Sequence, residues 1–291
     1  MIRTSVVASV LVLCSGLRAG TLDDRLAPLA KAHKGHVAIA VKPLDGGDMF
    51  TLNADERMPT ASLIKLAVMV EAYWQAKEGK FKLTDTIALR KEDMVQGSGI
   101  LTDHFSPGAT FSVRDAVRMM IVFSDNTATN LVLDKTGIKA VNDRMASLKL
   151  PQTRINAKVF RGGTTSIDPE ATKKFGLGST TAREMVTLLD LIHRGQVVDA
   201  DACMDMIGHL KKCEDKDKFT RFLPAGTAVA HKSGSVSDAR TDAGIIYLKT
   251  GPVGLCVLSN GNEDKSWTPD NAGNQLCAKV AKEVADFYST K

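Results

Sequence analysis

The sequence predicts an α+β fold: a five-stranded antiparallel sheet flanked by helices, with an all-helical insert. Three observations predict it. Strand-like alternation occurs in two blocks, residues 36–53 near the start and 227–259 near the end. Between them, over about 62–212, apolar residues recur mostly at helical spacing. Helical stretches also precede the first block and follow the second. Two strands from one end and three from the other close most simply as one sheet, with the terminal helices packed on it.

The elements follow in order. Residues 1–20 are set aside as a secretory signal peptide: Arg3 starts it, Val6 to Leu13 is an apolar run too short to span a bilayer, and Ser15, Gly16, Ala19 and Gly20 supply small residues for cleavage after Ala19 or Gly20. Residues 21–291 then form one catalytic domain. Leu22 to His33 reads as an amphipathic helix. His36 to Leu44 alternates on Val37, Ile39 and Val41, Asp45-Gly46-Gly47 turns, and Asp48 to Asn53 returns as the second strand. A helix opens near Ser62 and ends near Gly79. Residues 80–108 are loop-rich, with Gln96-Gly97-Ser98-Gly99 the most flexible part. Ser112 caps a helix over Val113 to Phe123, with Asp115 as its third-position acid; further helices begin near Thr127 and span Lys139 to Leu148. From Pro151 to Gly178 periodicity fails, which marks a long irregular loop with Thr153-Arg154-Ile155 as a short extended piece. Ser179-Thr180-Thr181 caps the next helix, and Asp199 to Leu210 forms another. Thr227 to His231, Asp242 to Lys249 and Val253 to Ser259 are the last three strands, and Asn271 to Tyr288 the final helix.

Composition narrows the function. A hydrophobic content of 44% over 291 residues supports a sizeable core, and no further stretch is long and apolar enough to cross a membrane. The formal charge of +5 is not concentrated in any basic run, which argues against a nucleic-acid surface. The expected product is an exported monomer, periplasmic or secreted. Six histidines show no metal spacing, and neither metal nor organic cofactor is expected. Cys203, Cys213, Cys256 and Cys277 remain after Cys14 leaves with the signal. They read either as the pairs Cys203–Cys213 and Cys256–Cys277 or as buried free thiols. Met119, Met120, Met204 and Met206 read as core filler.

Chemistry centres on Ser62-Leu63-Ile64-Lys65. On a helix, residues three apart share a face, so the Lys65 amine can reach the Ser62 hydroxyl. A serine needs an adjacent base, and a lysine serves only if burial or nearby cations lower its pKa. Alone, the pair reads as well as a helix cap and a lysine stem lying along apolar surface. Two other stretches raise its weight: Ser124-Asp125-Asn126 between two helices, and Lys232-Ser233-Gly234-Ser235 at the end of a strand.

Ser-x-x-Lys, Ser-Asp-Asn and Lys-Ser/Thr-Gly in this order resemble the signature set of class A β-lactamases and penicillin-binding proteins. The resemblance covers nearly all of the chain after the signal, including Asn130-Leu131 and Leu223-Pro224-Ala225-Gly226. It implies a β-lactamase/transpeptidase-like fold and a serine acyl hydrolase. Ser62 would be acylated by a β-lactam, Lys65 would take its proton, and Ser124 would pass a proton to the leaving nitrogen. Asn126 would orient the substrate amide. Lys232 and the Ser233 hydroxyl would attract the substrate carboxylate, with Arg240 adding a cation. The N–H groups of Ser62 and Ser235 would form the oxyanion hole. One departure stands out. The family's Glu-x-x-Leu-Asn loop motif, whose glutamate activates the deacylating water, is missing between Arg154 and Thr180; Asp168 or Glu170 either substitutes for it or both are solvated loop acids and deacylation lacks its base. The competing expectations are a D-alanyl-D-alanine peptidase or esterase with slow deacylation, acting on a peptidoglycan peptide, and a non-catalytic exported binding domain.

Overall fold

The structure, a computed structural model, describes residues 20–290. Apart from Gly20, the predicted signal peptide lies outside the described residues. Five strands form one antiparallel sheet: β1 (His36–Pro43), β2 (Phe50–Leu52), β3 (Ala228–Val236), β4 (Ala239–Leu248) and β5 (Gly251–Asn260). Their order is β2-β1-β5-β4-β3. The two ends of the chain meet where β1 pairs with β5, from His36 opposite Asn260 to Pro43 opposite Val253. The β-block boundaries and the antiparallel closure agree with the sequence expectation.

The sheet divides the core. Val37, Ile39 and Val41, with Val257 of β5, face the terminal helices α1 (Leu22–Ala32) and α8 (Ala272–Ser289), whose Leu26 and Val280 join the same cluster. Ala38 and Ala40, one residue out of phase, face the helical insert. This is the period-two alternation of a strand with both faces covered. The insert holds α2 (Lys65–Lys77), α3 (Val113–Val122), α4 (Asn126–Thr136), α5 (Ile138–Ser147), α6 (Ala182–His193) and α7 (Ala200–Leu210). α2 is its axis. Leu66, Val68, Met69 and Val70 are all fully buried, at about 2 kcal/mol of transfer free energy each. An all-round apolar sequence fits a helix enclosed on every side.

Several boundaries differ from expectation for physical reasons. Ser62 does not lie in α2 but in a 3₁₀ turn, Ala61–Ile64, that leads into it. Lys232 to Ser235 lie inside β3, because the cross-strand ladder with β4 runs on to Val236 opposite Ala239. The 151–178 segment is less irregular than its sequence. Its ends pair as two short strands, Arg154–Ile155 and Gly178–Thr180, and the second also pairs with Met58–Pro59 just before the Ser62 turn. The preferred disulfides are not formed: all four cysteines are buried free thiols. Cys256 faces the insert and Cys277 the terminal-helix side, so the sheet stands between them. Met119, Met120 and Met206 are core residues, whereas Met204 is 63% exposed on α7.

Candidate active site

A cleft of about 1000 Å³ opens where the insert meets β3, and it brings together Ser62, Ser124, Asn126, Lys232, Ser233 and Ser235. They come from three kinds of local structure: a 3₁₀ turn for Ser62, the turn into α4 for Ser124 and Asn126, and strand β3 for the rest. Ser62 follows Ala61, whose φ of 47° is left-handed for a residue with a side chain. The turn is held against the sheet, with the Thr241 hydroxyl donating to the Thr60 carbonyl at 2.9 Å. Gly234 permits the approach: a methyl group there would sit 2.5 Å from Thr60 O and 2.8 Å from the Ser62 nitrogen. The backbone of β3 thus passes directly beside the Ser62 N–H.

Lys65 is fully buried at the start of α2. Its amine donates to the Ser124 carbonyl (2.6 Å), to Asn126 Oδ1 (2.9 Å) and to Ser124 Oγ (3.3 Å). Burial, reinforced by the Lys232 cation and opposed by Asp125, holds its pKa well below the usual lysine range. The Lys232 amine reaches the same Ser124 Oγ from the other side at 3.1 Å and donates to its own neighbour's carbonyl, Ser233 O, at 2.7 Å. Its pKa is also lowered, by burial first. Ser124 therefore stands between two buried amines, in a left-handed conformation with φ 53°.

Asp125 secures this turn. Its carboxylate caps α4 at Ala128 N (2.7 Å) and also takes the N–H groups of Ile100 (2.7 Å) and Leu101 (2.8 Å). The Asn126 N–H donates to Ser98 O at 2.9 Å, and its side-chain amide to Gln96 O at 3.1 Å. The Gly97-Ser98-Gly99 stretch is thus a pinned rim of the cleft. Gly99 is required there, since at φ 127° a methyl group would lie 2.4 Å from the Asp125 carboxyl group.

On the opposite wall, Asn130 clamps Val159 by both backbone groups, at 3.0 and 2.8 Å. Ala157, Lys158, Val159 and Phe160 carry the 151–178 segment into the cleft. Asp168 and Glu170 do not reach it. The Asp168 carboxylate caps the short helix Pro169–Phe175 at Ala171 N (2.9 Å), and Glu170 is exposed beside it. Among the described residues, this segment presents no carboxylate to the cleft.

Two expected substrate contacts are committed elsewhere. The Arg240 guanidinium is buried behind the cleft wall, donating to the carbonyls of Val236, Ala239 (3.0 Å) and Ser266 (2.6 Å) and lying 4.9 Å from the Trp267 ring centre. It supports the cleft residues Val236 and Trp267 and does not itself line the cleft. The Ser233 hydroxyl faces the cleft but donates to Asp215 Oδ2 at 2.6 Å. Asp215 escaped sequence reasoning because Glu214-Asp215-Lys216-Asp217-Lys218 reads as a solvated charge run. The one available signal was its place, just upstream of Leu223-Pro224-Ala225-Gly226. The aromatic rim, Phe160 and Trp267, was also missed, since isolated exposed aromatics leave no periodic signal.

Known proteins share this architecture. The model of the β-lactamase enzyme family matches residues 21–288. The chain is 22% identical to the extended-spectrum β-lactamase PER-1 of Pseudomonas aeruginosa, over 100% of this chain and 97% of that one. Among solved structures, a β-lactamase from Sphaerobacter thermophilus superposes with a TM-score of 0.81 at 27% identity, covering 92% of this chain and 98% of its own. The structure of PBP-A gives a TM-score of 0.80 at 21% identity, covering 93% and 96%.

Proposed function

The chain belongs to the β-lactamase enzyme family, and from that premise we propose that it hydrolyses β-lactams through an acyl-enzyme on Ser62. The observation that carries the reading is the convergence of two buried amines, Lys65 and Lys232, on the Ser124 hydroxyl inside the cleft that Ser62 lines. Relatives named as β-lactamases favour ring hydrolysis over the peptidase alternative.

In the proposed sequence, Ser62 Oγ attacks the β-lactam carbonyl carbon and its proton passes to Lys65, directly or through water. Burial favours the neutral amine that this step needs. The carbonyl oxygen becomes an oxyanion facing the N–H groups of Ser62 and Ser235. The C–N bond then breaks, and the ring nitrogen takes the Ser124 hydroxyl proton, which Lys65, now an ammonium, replaces. Lys232 offsets negative charge at this end of the cleft, and Asn126 orients the substrate amide and the Lys65 amine. Water then attacks the ester carbonyl carbon while the neutral Lys65 amine takes its proton, and the C–O bond to Ser62 breaks as Ser62 Oγ recovers that proton. We assign residues 1–20 to an export signal and 21–291 to a single secreted or periplasmic catalytic domain, active as a monomer.

Intact mass against time tests this on the chain from Thr21 onward, mixed with excess penicillin while ring opening is followed. An adduct that forms and clears with sustained turnover is expected. In Ser62→Ala, no adduct should form while thermal unfolding stays cooperative. Labelling that survives this substitution would remove Ser62 as the nucleophile.

A further inference from the structure

We propose that Cys213 is a modification site: a nucleophilic thiol, backed by His231 and Asp242, that a small peroxide reaches from the cleft and oxidises to a sulfenic acid. The acylation chemistry on Ser62 makes no use of this group.

Cys213 lies just past the end of α7, where the chain passes to β3, the edge strand of the sheet. It is 3% exposed, yet it lines the cleft together with Lys232 and Ser233. Behind it stands a fixed imidazole. His231 Nδ1 meets both carboxylate oxygens of Asp242, at 3.0 and 3.1 Å, and the ring stacks on Phe219 with 6.2 Å between centres. Its other nitrogen, Nε2, is buried and has no hydrogen-bond partner of full geometry among the described residues. A buried donor left in that state is costly unless an anion sits beside it. The Cys213 thiol is the group beside the ring that can become one. Carboxylate, imidazole and thiol thus follow in the order that activates a nucleophile: Asp242 orients His231, and His231 serves the sulfur.

The surrounding charges favour the thiolate. Burial opposes it, but the His231 and Lys232 cations outweigh burial and the Asp242 charge, and the Cys213 pKa falls below the usual thiol value. The remaining charges nearby are engaged or screened. The Lys216 amine donates to the Cys213 carbonyl at 2.9 Å, Lys218 pairs with Asp215 at 2.6 Å, and Glu214 is exposed to water. Cys256 and Cys277 sit away from the cleft, and burial raises both.

Hydrogen peroxide is uncharged and little larger than water, so it can enter where bulkier thiol reagents cannot. The thiolate attacks one peroxide oxygen. The S–O bond forms as the O–O bond breaks, and the His231 imidazolium gives its proton to the departing hydroxide, which leaves as water. The sulfur is oxidised by two electrons and the peroxide reduced by two.

The test exposes the folded, reduced chain from Thr21 onward to hydrogen peroxide, with a cyclic 1,3-diketone present to trap sulfenic acid. Adducts are located by peptide mass, because the exposed Met204 also takes up oxygen. Trapping is expected at Cys213 at least tenfold faster than at Cys203, Cys256 or Cys277. Its rate should fall with decreasing pH around a midpoint below the value of about 8.5 of an ordinary thiol. His231→Gln should move that midpoint upward, which a merely structural role would not do. Should His231→Gln fail to fold, the wild-type midpoint decides alone. No adduct at Cys213 in the folded chain, adducts spread evenly over the four thiols, or an ordinary midpoint would overturn the inference.

Discussion

Ser124 holds a conformation that only glycine adopts without penalty, at φ 53°. The strain costs about 1 kcal/mol and is sustained by the Lys65 hydrogen bond to its carbonyl. Ser124→Gly is therefore expected to be more stable than Ser124→Ala by about 1 kcal/mol, measured by thermal or urea unfolding. Both should acylate more slowly by about 100-fold or more, the usual worth of a placed proton donor. Lys65 supplies a pH prediction with a definite sign. In the proposed mechanism its neutral form takes the Ser62 proton, and its lowered pKa extends that form to lower pH, so acylation should fall as pH drops through the Lys65 pKa. Lys232 is one of the causes of that lowering. Lys232→Met should raise the Lys65 pKa and shift the acid limb of the acylation profile to higher pH, beyond any loss in rate. A limb that stays in place would exclude this coupling.

Elements transmit these local demands, and Asp125 is the joint between two of them. It caps α4 and ties down the loop at Ile100 and Leu101, so Asp125→Ala leaves three N–H groups without their acceptor. A cost of about 3 kcal/mol is expected, with faster hydrogen exchange confined first to residues 96–101 and the start of α4. In the sheet, His231 on β3 is bound to Asp242 on β4 at 3.0 Å, and although burial opposes it, this carboxylate pushes the imidazole up to about 10. A folded-state pKa above the ordinary 6.5 means stability that is full below pH 6.5 and is lost as pH rises toward 10. Unfolding midpoints against pH should show that alkaline loss, and His231→Gln should flatten it. The sequence made the long elements legible, because β1 announces itself by periodicity and α3 by its Ser112 cap. It also singled out Ser62, Ser124 and Lys232, which the fold brings to one cleft, and Lys65, whose amine meets Ser124 there. It did not reveal that Arg240 turns to carbonyls or that Asp215 fills the place beside Ser233. Those are pairings between segments distant in sequence, and no local pattern encodes them. The short strands at Met58 and Gly178 were hidden because two or three residues are too few for a period, whereas the extended piece expected at Thr153-Arg154-Ile155 is the strand Arg154–Ile155.

At the scale of the whole molecule, the sheet separates two cores and keeps its thiols apart. Cys256 and Cys277 cannot meet through it, and Cys203 is buried in the first turn of α7 whereas Cys213 is buried past that helix's end. The unfolding midpoint of the chain from Thr21 onward should be the same with and without a reducing agent, and a thiol reagent should titrate all four cysteines only after denaturation. A midpoint that falls on reduction would mean a bridge had formed. The closeness of Gly234 to the Ser62 turn carries a different consequence, one of time. A chain that has emerged as far as residue 227 already holds Ser62, Lys65, Ser124 and Asn126, yet it lacks the wall that completes the cleft. That wall arrives with β3, and β3 is fixed only after β4 and β5 have been made and β5 has found β1 near the start of the chain. Pairings of such long sequence separation are slow to form. Reactivity toward a labelling acyl donor should therefore return in the last phase of refolding, making a covalent tag on Ser62 a clock for the moment the two ends of the chain close.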